Sequence, residues 1–228
     1  MPAISRNLRR LFRLSPLPAC LQSSMPRQKS PPVTAEPRTA MKKPLPEIVE
    51  RRRVYDGWNQ MDELTVTGLS SQAHKREVID HGDAASLLPY DVERRTILLV
   101  NQWRAPLAGR PEGGFIMEAC AGIIDPGETP AEAALREAEE ELGVKLKKAE
   151  HVASVYPAPG CLTEFAHLFL APYRPEDRKN AGGGKDEEGE AIEVVEMSFD
   201  RLFALVREAG INDAKTLILA QALLLRGL

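Results

Sequence analysis

Polar and apolar positions alternate over short runs along much of the chain and follow a helical period mid-chain and again at the end. "RRRVYDGWNQMDELTVTG" and "HKREVIDHG" are short, mixed and β-leaning, consistent with a small antiparallel unit. "AASLLPY" and "RTILLVNQW" are stronger strands joined by the turn-like "DVER", and "GFIMEACAGII" reads as one further strand entered through Gly113 and Gly114. "VASVYPAPG" and "FAHLFLAPY" flank a Pro/Gly loop and read as two more. "RKNAGGGKDEEGE" has no periodicity and is expected to be a mobile loop, with "AIEVVEM" following as a strand. Ser198 and Asp200 offer caps for the helix "FDRLFALVREAG", Gly210 sits where a helix stops, and "DAKTLILAQALLLRG" is a last helix with a broad apolar face. Strands outnumber helices, and helices come both mid-chain and at the end. That order predicts the α/β class, a mixed sheet with helices packed on it.

The first 45 residues break the pattern. They carry nine Lys/Arg against the single acid Glu36, with many prolines and serines. Such a stretch buries too little apolar surface to offset its ordering entropy and is expected to be a disordered basic tail. Two readings of it stand: a dispensable tail or upstream start, since Met25 and Met41 both precede the folded part, and an organelle-targeting segment, since "NLRRLFRL" is basic and amphipathic. The expected organisation is a tail over 1–45, an antiparallel β appendage over 46–83 and a main domain over 84–228.

Composition narrows the class without choosing the chemistry. The 228 residues are 43% hydrophobic and 28% charged with a net charge of −3, so no global field draws the chain to nucleic acid or membrane. No apolar run approaches the roughly 20 residues a membrane span needs. Cys20, Cys120 and Cys161 form no metal pattern and no disulfide framework, which fits a reducing, cytoplasmic setting; Cys120 and Cys161 read as buried small hydrophobes.

One run carries an unusual charge pattern. In "GIIDPGETPAEAALREAEEELGV", residues 122–144, Glu137, Glu139, Glu140 and Glu141 crowd together with only Arg136 beside them. Thr129 caps a helix starting at Pro130, Glu132 completes a capping box, and Gly143 ends it. At about 100° per residue, Ala131, Ala134, Leu135, Ala138 and Leu142 form the packing face. Glu137, Glu140 and Glu141, at i, i+3 and i+4, converge on a separate arc, while Glu132 and Glu139 point to solvent. Three carboxylates at one spot repel unless a cation neutralises them, and oxygen ligands without histidine or cysteine favour Mg²⁺ or Mn²⁺ over Zn²⁺. The bland alternative is an acid-rich solvated face.

The spacing of Gly122, Glu128, Arg136, Glu137, Ala138, Glu140, Glu141, Gly143 and Val144 resembles the Nudix box at every specified position. The resemblance implies an α/β/α sandwich with a mixed sheet and metal-dependent hydrolysis of a nucleoside diphosphate linked to another group. It implies metal binding by Glu137, Glu140 and Glu141 with the carbonyl of Ala121. It also implies that Arg136 orients the glutamates, that Glu128 is structural and that Gly122 and Gly127 shape the loop.

Outside the box, "VNQWRAP", "MEACAG" and "YPAPGCLTE" are similar to the nucleotide-sugar and ADP-ribose pyrophosphatases of that family. "HKREVIDHG", "NAGGGKDEEGEAIEVVEM" and "INDAKT" are most similar to its GDP-mannose-hydrolysing branch. Position by position this implies substrate contacts from Trp58, Lys75, Arg76, Glu77, Arg104, Glu118, Glu164 and Lys215. It implies a catalytic base and further metal ligand at Glu190, with Glu188 and Glu187 as rivals, acting together with Glu141. Each has a plainer reading: surface Lys or Arg at 75, 76 and 215, a core aromatic at Trp58, a solvated acidic loop around Glu190. Of the histidines, His74 lies in the substrate-matching segment, while His81, His151 and His167 read as structural or exposed.

The expected function is Mg²⁺-dependent hydrolysis of GDP-mannose to GMP and mannose 1-phosphate. The alternatives are an ADP-ribose pyrophosphatase and, more distantly, a nucleotide-sugar sensor that does not hydrolyse. The branch also implies a homodimer in which the appendage is exchanged to complete the partner's site.

Overall fold

Alternation along the strands buries both faces of a central sheet, and that requires a helical layer on each side. A computed structural model describes residues 45–111, 113–185 and 191–228. Residues 1–44 of the basic tail and Glu187, Glu188 and Glu190 lie outside the described residues.

The chain begins with three antiparallel strands, β1 (Glu47–Asp56), β2 (Gln60–Thr67) and β3 (His74–Asp80), which form their own sheet in the order β1-β2-β3. Every residue of β1 is exposed. Its arginines are matched across the strand pair, with Arg51 on Asp62 at 3.1 Å and Arg52 on Glu63 at 2.9 Å. Such cross-strand pairs fix register where no core does.

The main sheet has seven strands: β4 (Ala84–Asp91), β5 (Thr96–Trp103), β6 (Phe115–Glu118), β7 (Cys120–Ile123), β8 (Glu150–Val155), β9 (Ala166–Pro172) and β10 (Ile192–Ser198). The order is β10-β5-β4-β9-β8, with β6 paired to β5 and β7 to β4. The β4–β9 pair is parallel and the others are antiparallel, so the sheet is mixed. Ala85, Leu87, Leu98, Val100 and Phe169 pack under helix α1 (Pro130–Leu142). Leu88, Ile97, Leu99, Leu168 and Leu170 pack on the other face, under α2 (Phe199–Arg207) and α3 (Ala214–Leu225). The period of two in the strands thus feeds two separate cores, and the architecture is an α/β/α sandwich. No helix among the described residues is long and apolar enough to cross a membrane.

Three expectations need correction. The run "GFIMEACAGII" is two strands, not one. The chain leaves β5 at Glu118 and joins β4 at Cys120, and between them the Ala119 N–H donates to Thr216 Oγ1 at 2.7 Å. Cys161 is exposed rather than buried, because it sits on the β8–β9 loop, where its carbonyl accepts the Ile79 N–H at 2.8 Å. The glycine-rich loop is anchored along its described half. Lys179 N–H donates to Gly143 O at 2.7 Å and Gly183 N–H to Glu141 O at 2.9 Å, so the loop satisfies carbonyls that the end of α1 leaves open.

Candidate active site

The site is built outward from α1. Thr129 Oγ1 accepts the Glu132 N–H at 3.3 Å and Glu132 Oε2 accepts the Thr129 N–H at 2.8 Å, a reciprocal cap that fixes where the helix starts. Gly143, at φ 69°, ends it. The buried residues are Ala133, Ala134, Ala138, Glu141 and Leu142. Ala133, Glu137 and Glu141 stand four apart, so the acidic stripe runs along the edge of the packed face rather than in solvent. Glu141 is 2% exposed. Gly122 lies directly beneath Glu137: a Cβ there would overlap the carboxylate.

Arg136 proves to be more than one neighbour relieving one repulsion. Its Nε and Nη2 donate to the two oxygens of Glu128 at 3.1 and 3.0 Å, and Nη2 also to Ile123 O at 3.0 Å. Nη1 donates to Glu137 Oε1 at 2.6 Å and Glu140 Oε2 at 3.2 Å. Hydrogen bonding to Glu128 leads the causes that hold the guanidinium above its ordinary range, and the same bond holds Glu128 below the ordinary carboxylate range. Lys185 Nζ reaches Glu140 Oε2 at 2.9 Å, and Glu141 Oε2 accepts the Ala121 N–H at 3.1 Å.

With these donors on them, the carboxylates form no ready-made metal-holding group of three or more among the described residues. The donor set still has the chemistry of a hard divalent cation: carboxylate oxygens on one helical arc, packed over a glycine, beside the carbonyl-bearing strand β7. The nearby Cys120 thiol is no competitor. Burial first, then the charges of Glu141 and Glu137, push its pKa well above the ordinary thiol value, so it stays neutral. By chemistry, Glu137, Glu140 and Glu141 are the oxygen donors suited to such an ion.

A second charged chain lies across the cleft. Glu118, at the end of β6 and 4% exposed, accepts Arg104 Nε at 2.8 Å and Lys215 Nζ at 3.3 Å. Lys215 Nζ also donates to Asp213 Oδ1 at 2.8 Å, while Asp213 Oδ2 accepts the Thr216 N–H at 2.8 Å and caps α3. Burial alone would lower the Lys215 pKa, but Asp213 and Glu118 outweigh it and raise it above the ordinary value. Burial likewise works against ionised Asp213, and Lys215 wins, leaving its carboxyl below the usual range. The ammonium stays charged where a phosphate would need it.

The third wall comes from the appendage. Trp58, between β1 and β2 and 77% exposed, stacks on His81 with ring centroids 5.6 Å apart and planes 13° apart. His81 Nε2 stands 3.6 Å from Glu164 Oε2. The end of β3 is tied to the same loop, because the Thr163 N–H donates to Ile79 O at 3.0 Å. Trp58 is thus a cleft aromatic, not a core one, and His81 belongs to the site rather than to the surface.

Trp58, Arg104, Glu118, Ala121, Glu137, Glu164 and Lys215 all line one cleft of about 640 Å³. Glu140 and Glu141 stand behind its wall on α1. Lys75, Arg76 and Glu77 are not brought in: they are exposed on β3, with Lys75 Nζ on Glu63 at 2.7 Å. Four polar cleft or support residues escaped sequence reasoning: His81, Asp125, Lys185 and Asp213. Only Asp213 left a readable sign, as a cap residue before "AKTLIL".

Comparison with known proteins agrees with this geometry. The model of the NUDIX domain family matches residues 80–219, more than half of the chain. The GDP-mannose pyrophosphatase of Cronobacter sakazakii is 43% identical over 157 residues, 68% of this chain and 80% of the relative. That of Klebsiella pneumoniae is 35% identical over 186 residues, 79% and 92% of the two chains. That of Escherichia coli K12 is 37% identical over 147 residues, 64% and 75%. With the box folded on α1, the cleft in front of it and these matches together, the chain belongs to the Nudix hydrolase family.

Proposed function

We propose that the protein hydrolyses the pyrophosphate of GDP-mannose, releasing GMP and mannose 1-phosphate, with Mg²⁺ as the working ion. One observation carries this reading. Glu137 of the acidic stripe on α1, the cations Arg104 and Lys215 and the flat ring of Trp58 share a single cleft. Those features match the parts of a nucleotide sugar: a doubly charged linker between a base and a polyol.

Glu137, Glu140 and Glu141 would hold the divalent cation, which supplies Lewis-acid charge to the pyrophosphate oxygens when bound. Arg104, aligned by buried Glu118, binds the phosphates with a fork of donors, and Lys215 adds a second fixed positive charge. Trp58 offers a face for stacking, and Glu164 accepts hydrogen bonds from the substrate's hydroxyl or ring N–H groups. A glutamate at 190, 188 or 187, outside the described residues, takes the proton of the attacking water.

The same reading includes a homodimer with exchanged appendages. Exposure of all of β1, with Lys75, Arg76 and Glu77 standing away from their own chain's cleft, supports it. Light scattering tests the assembly, and a monomer would refute it. Chromatography of the nucleoside monophosphates formed from GDP-mannose and ADP-ribose with Mg²⁺ tests the substrate: faster turnover of ADP-ribose would transfer the assignment to that nucleotide.

A further inference from the structure

The acidic face already has a second cation on it, from 45 residues downstream. Lys185 Nζ lies 2.9 Å from Glu140 Oε2, and Lys185 lines the same cleft as Arg104 and Lys215. Its backbone is brought there by a built contact. Gly183 N–H donates to Glu141 O at 2.9 Å and Gly184 N–H to Glu140 O at 3.3 Å. Gly182, Gly183 and Gly184 all have positive φ, and a Cβ on Gly182 would overlap the Glu141 carbonyl. The three glycines let the backbone lie flat against the end of α1. Lys185 therefore follows directly after a hydrogen bond to the residue its side chain pairs with.

We propose that Lys185 is a resident counter-cation of the acidic face, which competes with the divalent cation for Glu140 and, once displaced, binds the substrate's phosphates. This rests on the reading above, in which Glu140 belongs to the cation-binding set. Of the cations on that oxygen, an ammonium on a flexible stem yields most readily when a divalent ion takes it, since the positive charges repel. A lysine suits the exchange: its charge is a point on a flexible four-carbon stem, able to swing within the cleft without moving the backbone. Arg136 is the contrast. Its guanidinium is fixed by Glu128 and the Ile123 carbonyl as well as by Glu137 and Glu140, so it orients the stripe and stays.

The test is a calorimetric titration of the full chain with Mn²⁺ in the absence of substrate. Lys185→Met is expected to bind Mn²⁺ about three- to tenfold more tightly than wild type, by removal of one nearby positive charge. Lys185→Arg should titrate like wild type. With saturating Mg²⁺, Lys185→Met should raise the KM for GDP-mannose several-fold and leave kcat within about twofold. Unchanged Mn²⁺ affinity in Lys185→Met overturns the competition, and an unchanged KM overturns the hand-over to phosphate. Glu140→Gln separates the two levels: if it leaves Mn²⁺ binding intact, the cation-binding set itself is wrong. If it weakens binding while Lys185→Met changes nothing, only the role of Lys185 falls.

Discussion

Glu118 and Lys215 stand 97 positions apart in the chain and 3.3 Å apart in the cleft, where the carboxylate also holds Arg104 at 2.8 Å. One buried acid thus aligns two cations on the phosphate side of the site. Glu118→Gln removes the charge that Arg104 and Lys215 share and leaves Lys215 to its contact with Asp213. Breaking a buried pair costs about 3–5 kcal/mol, and the partial exposure of Arg104 reduces this to about 2 kcal/mol. The variant should therefore melt roughly 4–8 °C lower. Its kcat/KM for the nucleotide sugar should fall about 10- to 100-fold through loss of phosphate positioning. A wild-type kcat/KM would contradict the alignment role.

Gly122 makes room for Glu137. Gly122→Ala pushes the carboxylate off its seat, and the side chain has length enough to move without unfolding the domain. The expected result is a kcat lowered by about 100-fold, of the order seen when one transition-state-stabilising group is lost. The melting temperature should change little. Equal activity in the variant would show that Glu137 is not used where it sits.

The Arg136–Glu128 pair makes a pH prediction. Glu128 titrates below the ordinary carboxylate value in the folded protein because of Arg136. Its contribution to stability is complete above the unfolded-state pKa of about 4 and is lost as pH falls through the lower folded-state value. Denaturant melts at pH 7 and pH 3 should show wild type losing more stability than Glu128→Gln. Equal losses would remove the pair from the account.

Much of this was legible in the sequence because its causes are local. The helix at 130–142 announces itself by Thr129, Pro130, Glu132 and Gly143, and the structure places its ends there. The strand alternation at 84–103 likewise marks its two buried faces. What was hidden depends on partners far along the chain. Nothing near Ala119 says that the apolar run divides, since the division comes from pairing with two different strands and from Thr216. Nothing near Lys185 points to Glu140, and the glycines that read as mobility are docking against α1. His81 looked ordinary because its role is set by Trp58 and Glu164, both far from it in sequence.

Trp58 presents an exposed ring, backed on one side by His81, to the cleft. Stacking of a base on an aromatic is worth about 1–3 kcal/mol, so Trp58→Ala should raise the KM about 5- to 100-fold with kcat nearly constant. Steady-state kinetics checks this, and an unchanged KM would return Trp58 to the surface.

The central claim is that the acidic stripe of α1 and the cations across from it cleave a nucleotide-sugar pyrophosphate. Phosphorus NMR of GDP-mannose incubated with Mg²⁺ and either wild type or Glu141→Gln tests it most directly. Wild type should convert the two pyrophosphate resonances into those of GMP and mannose 1-phosphate. The folded Glu141→Gln protein should do so at least about 100-fold more slowly. Intact substrate with wild type, or equal rates for the two proteins, would contradict the account.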